Sequence, residues 1–267
     1  MRGLVDSLPH GNQSRCVSRF ASPLFYNFGE IFSNGATVSA ISSYSPRAMM
    51  SMYCFTHQLD RMDNRINFVT STGRVNSQLM RPFDTDEDYK QFRADELWRP
   101  AYEEYFNKAC PTTAIRKVLG DRYPFKDEHE ERDLAITEYY VVAGCQAMNI
   151  DPGASRFFTK EEYNALWSCF NLRQYLQRTA TTISSVPADI ASQLVQDLIQ
   201  TTDGFINGTN PAVANLRFGH AETLMPLLSL LRLKDCYYVT NYFDTVALHW
   251  RDFDVVPMAA NFQMILF

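Results

Sequence analysis

No window of this 267-residue chain approaches the roughly 18 consecutive apolar residues of a membrane-spanning helix. Residues 1–16, "MRGLVDSLPHGNQSRC", also lack the apolar run of a signal peptide. A basic surplus is missing as well. Lys and Arg number 25 against 30 Asp and Glu, a net charge of −5, which speaks against a general nucleic-acid binder, whose footprint is a basic face. A small anionic ligand is not excluded, because it needs only a local cluster of arginines. The six cysteines, Cys16, Cys54, Cys110, Cys145, Cys169 and Cys236, lie far apart with no CxxC pair. That spacing fits no zinc site and signals no thiol nucleophile. Cysteine is often a core residue, so most are expected to be buried thiols. There is no internal repeat and no low-complexity segment.

What is present is 46% apolar, 13% aromatic and 21% charged residues, the composition of a globular protein with a well-filled core. "ATVSAIS" (36–42) alternates as a half-buried strand does. It runs into "SYSPRAMMSMYCFTHQLDRM", where Ser45 suits an N-cap and Pro46 the first helical position. Met50, Cys54, Phe55 and Leu59 are expected along one face of that helix. "RINFVTS" (65–71) reads as a second strand. From about Asp84 to Asp203 the patterning turns helical. One acidic, aromatic helix is expected over "DTDEDYKQFRADELWRPAYEEYFNKA" and another over "EHEERDLAITEYYVVAGCQAMNI". A third opens at Thr159, with Glu162 in capping-box spacing. A fourth carries Ile190, Leu194, Val195, Leu198 and Ile199 on one face. After the turn-rich "GFINGTNP" come the strand "ANLRFG", a leucine helix and a closing strand, "NFQMILF". The order is α/β, then helical, then α/β, as an insertion into an α/β core produces. The expected division is a discontinuous core of residues 1–83 and 204–267 with a helical cap of residues 84–203.

Two strand-to-helix joints carry charge. Open α/β sheets bind ligands beyond the carboxyl ends of their strands. There the next helix offers unpaired N–H groups and a positive dipole end, which favour an anion. At "SSYSPR", Arg47 is the second helical residue, and its planar fork matches two phosphate oxygens. At "RFGHAE", Arg217 lies in the strand, and His220 and Glu222 follow Gly219, which would let the backbone pass close to a ligand. In a segment still extended there, residues 220 and 222 would point the same way. Plainer readings stand beside these: a solvated arginine, a dipole-compensating glutamate and a structural histidine. His57, His129 and His249 have no partner pattern.

At these residues "RFGHAETLMPLLSLL" resembles the proton-donor segment of the histidine acid phosphatases. Its His-Ala-Glu triplet resembles the multiple inositol polyphosphate phosphatase branch of phytases. "AISSYSPRAMMSMYCFTHQL" is similar to the segment bearing the phosphate-clamping arginine, "EEYNALWSCFNLRQYL" to a helix of the substrate-covering insertion, and "VVPMAANFQMILF" to the strand after the donor. The resemblance implies a histidine-phosphatase-like core sheet with flanking helices and an inserted, mostly helical cap. It implies that Arg47 and His220 bind the transferred phosphate, that Glu222 protonates the leaving inositol oxygen, and that no cofactor or metal takes part. The implied ligands are inositol phosphates rather than nucleic acid or membrane, and the implied location is secreted or periplasmic. For the further phosphates, Arg132, Arg156, Lys160 and Arg173 of the cap are candidates.

The sequence departs from that pattern in one respect. The family's nucleophile belongs to an Arg-His-Gly-x-Arg motif, which is not found. "LPHGNQSR" offers His10 as the candidate nucleophile, with Pro9 where an arginine is expected and Arg15 displaced. The resulting expectation is a stretch of a longer phosphatase lacking its first strand and its C-terminal end, with an open sheet edge. Its activity is in question, and the alternatives are a non-catalytic phosphate-ligand binder or a truncated fragment.

Overall fold

The computed structural model describes residues 35–266. Three strands form a parallel sheet in the order β2-β1-β3: β1 (Thr37–Ser42), β2 (Asn67–Ser71) and β3 (Ala212–Phe218). The alternation of "TVSAIS" is kept, with Val38, Ala40 and Ser42 buried on one side. Parallel neighbours require long crossovers. From β1 to β2 the crossover is helix α1 (Pro46–Met62); from β2 to β3 it is the whole helical stretch. The register brings Ser42 level with Phe218, and the Ser43 N–H donates to the Phe218 carbonyl at 3.2 Å. The two charged joints are therefore neighbours. Among the described residues β2 and β3 each pair on one side only, with β1 between them.

Ser45 and Pro46 begin α1 as their residue types suit. The buried face, however, is Ala48, Met52, Thr56 and Leu59, while Met50 is exposed. Of the face expected there, only Leu59 is fully buried. The inward direction is set by packing on the sheet, which the helix period alone does not fix.

The helical stretch contains α2 (Glu87–Ala94), α3 (Arg99–Ala109), α4 (Thr113–Leu119), α5 (Glu128–Ala147), α6 (Lys160–Arg178) and α7 (Ser192–Ile206). Side chains close several of their N-termini. Asp86 accepts from the Tyr89 N–H, Asp127 from the Glu130 N–H, and Thr159 and Glu162 complete a capping box. The single helix expected across residues 84–109 is broken between α2 and α3. Glu96 takes φ +49° there, and the ring of Pro100 would clash with the Glu96 carbonyl in an unbroken helix. On α6 the buried residues Leu166, Cys169, Leu172 and Leu176 follow the helical period into an aromatic core shared with α2, α3 and α5. Buried Asn171 anchors the chain around residues 250–252, donating to the Trp250 carbonyl at 2.9 Å and accepting from the Asp252 N–H at 2.8 Å.

Helix α8 (Ala221–Leu230) follows β3 directly. Its Leu227 packs with Met80, Ala191 and Leu194 in a separate cluster, which joins α7 and α8 to the segment before Arg81. The closing strand expected over "NFQMILF" is not formed. Residues 261–266 have no strand hydrogen bonds, and only Phe262 packs against the core. Without a neighbouring strand an apolar run gains no ladder bonds.

Candidate functional site

The end of β3 places His220 at the N-cap of α8, in extended conformation (φ −135°, ψ 166°). The helix begins at Ala221, so Glu222 lies in its first turn and is half-buried; the segment is not extended through residue 222. The His220 N–H donates to Thr223 Oγ1 at 3.3 Å, and that hydroxyl donates to the Met80 carbonyl at 2.7 Å. Thr223 therefore ties the histidine to the residue preceding Arg81. A Cβ on Gly219 would meet Thr223 Oγ1 at 3.1 Å. The glycine is thus accounted for by this packing against Thr223.

Three side chains converge on the His220 ring. Arg47 Nη2 lies 2.9 Å from Nδ1. Arg81 Nη1 lies 3.1 Å from Nε2, and Ser43 Oγ 2.9 Å from the same atom. Arg47 Nη1 also donates to Ser45 Oγ at 3.1 Å. Arg81 is held by Asp84, its Nε donating to Oδ2 at 2.5 Å, and the Tyr44 hydroxyl donates to the same oxygen at 3.1 Å. The Phe83 ring meets the imidazole edge-on, with centroids 6.0 Å apart.

Protons decide what this arrangement can do. A guanidinium only donates, and a neutral imidazole has one lone-pair nitrogen and one N–H. If Nδ1 accepts from Arg47, Nε2 carries its proton, gives it to Ser43 and faces the Arg81 fork donor to donor. If Nε2 accepts from Arg81, the conflict moves to Arg47. Donors outnumber acceptors in either tautomer. Desolvation by burial, with Arg47 and Arg81 beside it, lowers the His220 pKa to about 4. Glu222 and Asp84 act in the opposite direction, and Glu222 also interacts electrostatically with Arg81. The site is a neutral imidazole between two cations, with a carboxylate nearby.

Of the residues chosen from the sequence, Arg47, His220 and Glu222 are brought together here, and His10 lies outside the described residues. Arg217 is turned away and pairs with Asp197 of α7 at 2.5 Å. Three of the four cap candidates make other contacts. Arg132 bonds Glu128 and Asn107, Arg173 reaches the Tyr140 hydroxyl, and Lys160 lines a separate aromatic cleft with Tyr139 and Trp167. His57 is exposed on α1, His129 faces Glu103 and Asp133, and His249 stacks on Tyr238. Arg81, Ser43, Asp84 and Tyr44 were not found from the sequence. "LMRPFDT" has no spacing that marks Arg81, and only the packing of Met80 and Thr223 brings it to the histidine. Among the described residues, no group of three or more His, Cys, Asp or Glu is placed to hold a metal ion.

No family model and no curated protein matches the chain. Solved structures do. The multiple inositol polyphosphate phosphatase of Bifidobacterium longum in complex with phosphate superimposes with a TM-score of 0.72 at 17% identity, over 93% of this chain and 66% of that one. The same enzyme in complex with inositol hexasulfate gives 0.75 at 17% identity, over 93% and 68%. The phytase from D. castellii gives 0.54 at 15% identity, over 83% and 46%. The chain thus spans about two thirds of the length of the B. longum enzyme. The chain carries the α/β, histidine-phosphatase-like fold of the inositol polyphosphate phosphatase and the phytase it superimposes on.

Proposed function

We propose that the chain binds the phosphate of an inositol polyphosphate between Arg47, Arg81 and His220, and belongs to a phosphohistidine-type acid phosphatase. The observation that carries this reading is the surplus of donors at His220. A phosphate oxygen seated between the two guanidiniums supplies the acceptor that the imidazole alone cannot. In the reaction an imidazole nitrogen forms a bond to phosphorus as the bond to the inositol oxygen breaks. Glu222 gives its proton to that oxygen, which would otherwise leave as a poorly stabilised alkoxide, and water then releases the phosphate. Arg47 and Arg81 oppose the charge on the phosphoryl oxygens. His10 is the candidate nucleophile from the sequence. Secretion or periplasmic export goes with this reading.

A second reading, a phosphate-ligand binder without turnover, is favoured by one observation. Among the described residues, none of the other histidines contacts the His220 cluster. Phosphate release from inositol hexakisphosphate at mildly acidic pH, measured beside Glu222→Gln and Arg47→Ala, separates the two. Release abolished in both variants supports the phosphatase. Binding without release supports the binder. Neither binding nor release, in protein that unfolds cooperatively, overturns both.

A further inference from the structure

Ser43 has no exposed surface. A hydroxyl offers one proton and two lone pairs. One lone pair receives the Ser45 N–H at 3.3 Å. The proton is harder to place, because among the described residues the hydroxyl has one further partner, His220 Nε2 at 2.9 Å. A hydrogen on Nε2 would leave the Ser43 proton buried without an acceptor, at the full desolvation cost of an unmade hydrogen bond. Arg81 acts in the same sense. Only 17% of its side chain is exposed, and its Nη1 lies 3.1 Å from the same nitrogen. Two shielded donors therefore share the Nε2 lone pair.

Burial and the two guanidiniums lower the His220 pKa to about 4, so at neutral pH one ring nitrogen alone carries hydrogen. With Nε2 accepting, that nitrogen is Nδ1. Arg47 Nη2 then faces Nδ1–H donor to donor at 2.9 Å. This side can bear the conflict. Arg47 is exposed, its Nη1 already has Ser45 Oγ as an acceptor, and solvent or a ligand can reach the gap. A plainer account makes Ser43 a residue of the α1 start, its oxygen receiving the Ser45 N–H. That account uses a lone pair and leaves the hydroxyl proton unexplained. The Ser43 N–H, bonded to the Phe218 carbonyl at 3.2 Å, also fixes the serine against the end of β3, two residues before His220.

We infer that Ser43 is a positioning residue that holds His220 in the Nδ1–H tautomer, so that Nδ1–H and Arg47 Nη2 form a two-donor gap for one anionic oxygen. An anionic oxygen accepts from both at once and relieves their opposition. The anion in the gap rests on the reading of the His220 site given above, whereas the tautomer does not.

Nitrogen-15 NMR of the histidine rings in the ligand-free full chain at neutral pH tests this. Wild-type His220 should show a protonated, pyrrole-type Nδ1 and a bare, pyridine-type Nε2. In Ser43→Ala a population with Nε2–H should appear. Affinity for inorganic phosphate, by calorimetry, should fall about fivefold, as for one neutral hydrogen bond. Ser43→Thr, which keeps the hydroxyl, should recover part of both. A pyrrole-type Nε2 in the wild type overturns the inference with no variant needed, which decides the matter should Ser43→Ala fail to fold. An unchanged tautomer in Ser43→Ala that melts cooperatively overturns the role of Ser43. Phosphate added to the wild type should move the Nδ1–H signal, and binding that leaves it in place overturns the gap. Absence of phosphate binding, with Nδ1 protonated, overturns the proposed function and the gap but leaves the tautomer standing.

Discussion

Arg47 and His220, 173 positions apart in the chain, meet at 2.9 Å between Nη2 and Nδ1. They do so because β1 and β3 are parallel neighbours in register, which sets the helix starts that follow them side by side. The charge balance at that contact leads to four tests.

His220 should titrate far below an ordinary histidine. Burial first, then Arg47 and Arg81, hold its pKa at about 4 against 6.5 in an unfolded chain. A base with a depressed folded value takes up its proton more readily when unfolded. The stability it contributes is therefore full above pH 6.5 and is lost as pH falls from 6.5 through about 4. In Arg81→Ala the pKa should climb back toward 6.5. Histidine proton shifts followed through an NMR titration of the wild type and this variant give both values.

An anion at the site should act in the opposite direction. Phosphate between Arg47 and Arg81 offsets their repulsion of the imidazolium, so His220 binds a proton more readily. At pH 5–6 phosphate binding should draw protons from solution. Calorimetry in buffers of different ionisation enthalpy measures that uptake. Its absence, with phosphate bound, would place the anion elsewhere.

Glu222→Gln keeps the shape of the first turn of α8 and removes the transferable proton. Any phosphate release by the wild type should drop by about 10²–10⁴-fold, while affinity for inorganic phosphate stays within a few-fold. A parallel loss of binding would instead make Glu222 a structural residue.

Thr223→Val deletes the hydroxyl that joins His220 to Met80. The Met80 carbonyl, buried beside it, would lose its donor at a cost of about 1–3 kcal/mol. For a chain of this size that corresponds to roughly 2–4 °C in Tm per kcal/mol. Gly219→Ala should also destabilise, by about 1–3 kcal/mol, because its methyl presses on the same threonine. Melting of the two variants and the double variant checks the coupling: with the valine in place, which retains a methyl there, the alanine should still cost stability.

Local chemistry made much of this protein legible in its sequence. Alternation in "TVSAIS", the Ser45–Pro46 start, the Thr159–Glu162 capping box and the joint at Gly219–His220 depend on residues within a few positions of each other, and the structure places each as expected. Arg47 and His220 stood out for the same reason, since helix starts after strands are anion sites wherever they occur. Three features were not decidable locally. The buried face of α1 depends on which side meets the sheet. The last residues form no strand because that requires a neighbour to pair with. Arg81, which completes the charge pattern around His220, sits in "LMRPFDT", where no periodicity or spacing sets it apart. It reaches the imidazole only because Met80 is packed against Leu194 and Leu227 and held by Thr223, contacts that span more than a hundred residues. The sequence by itself determined the two strand-to-helix joints and the residues at their ends. The tertiary structure decided which charges share the space between them, because electrostatic balance depends on distance through the fold and not on order along the chain.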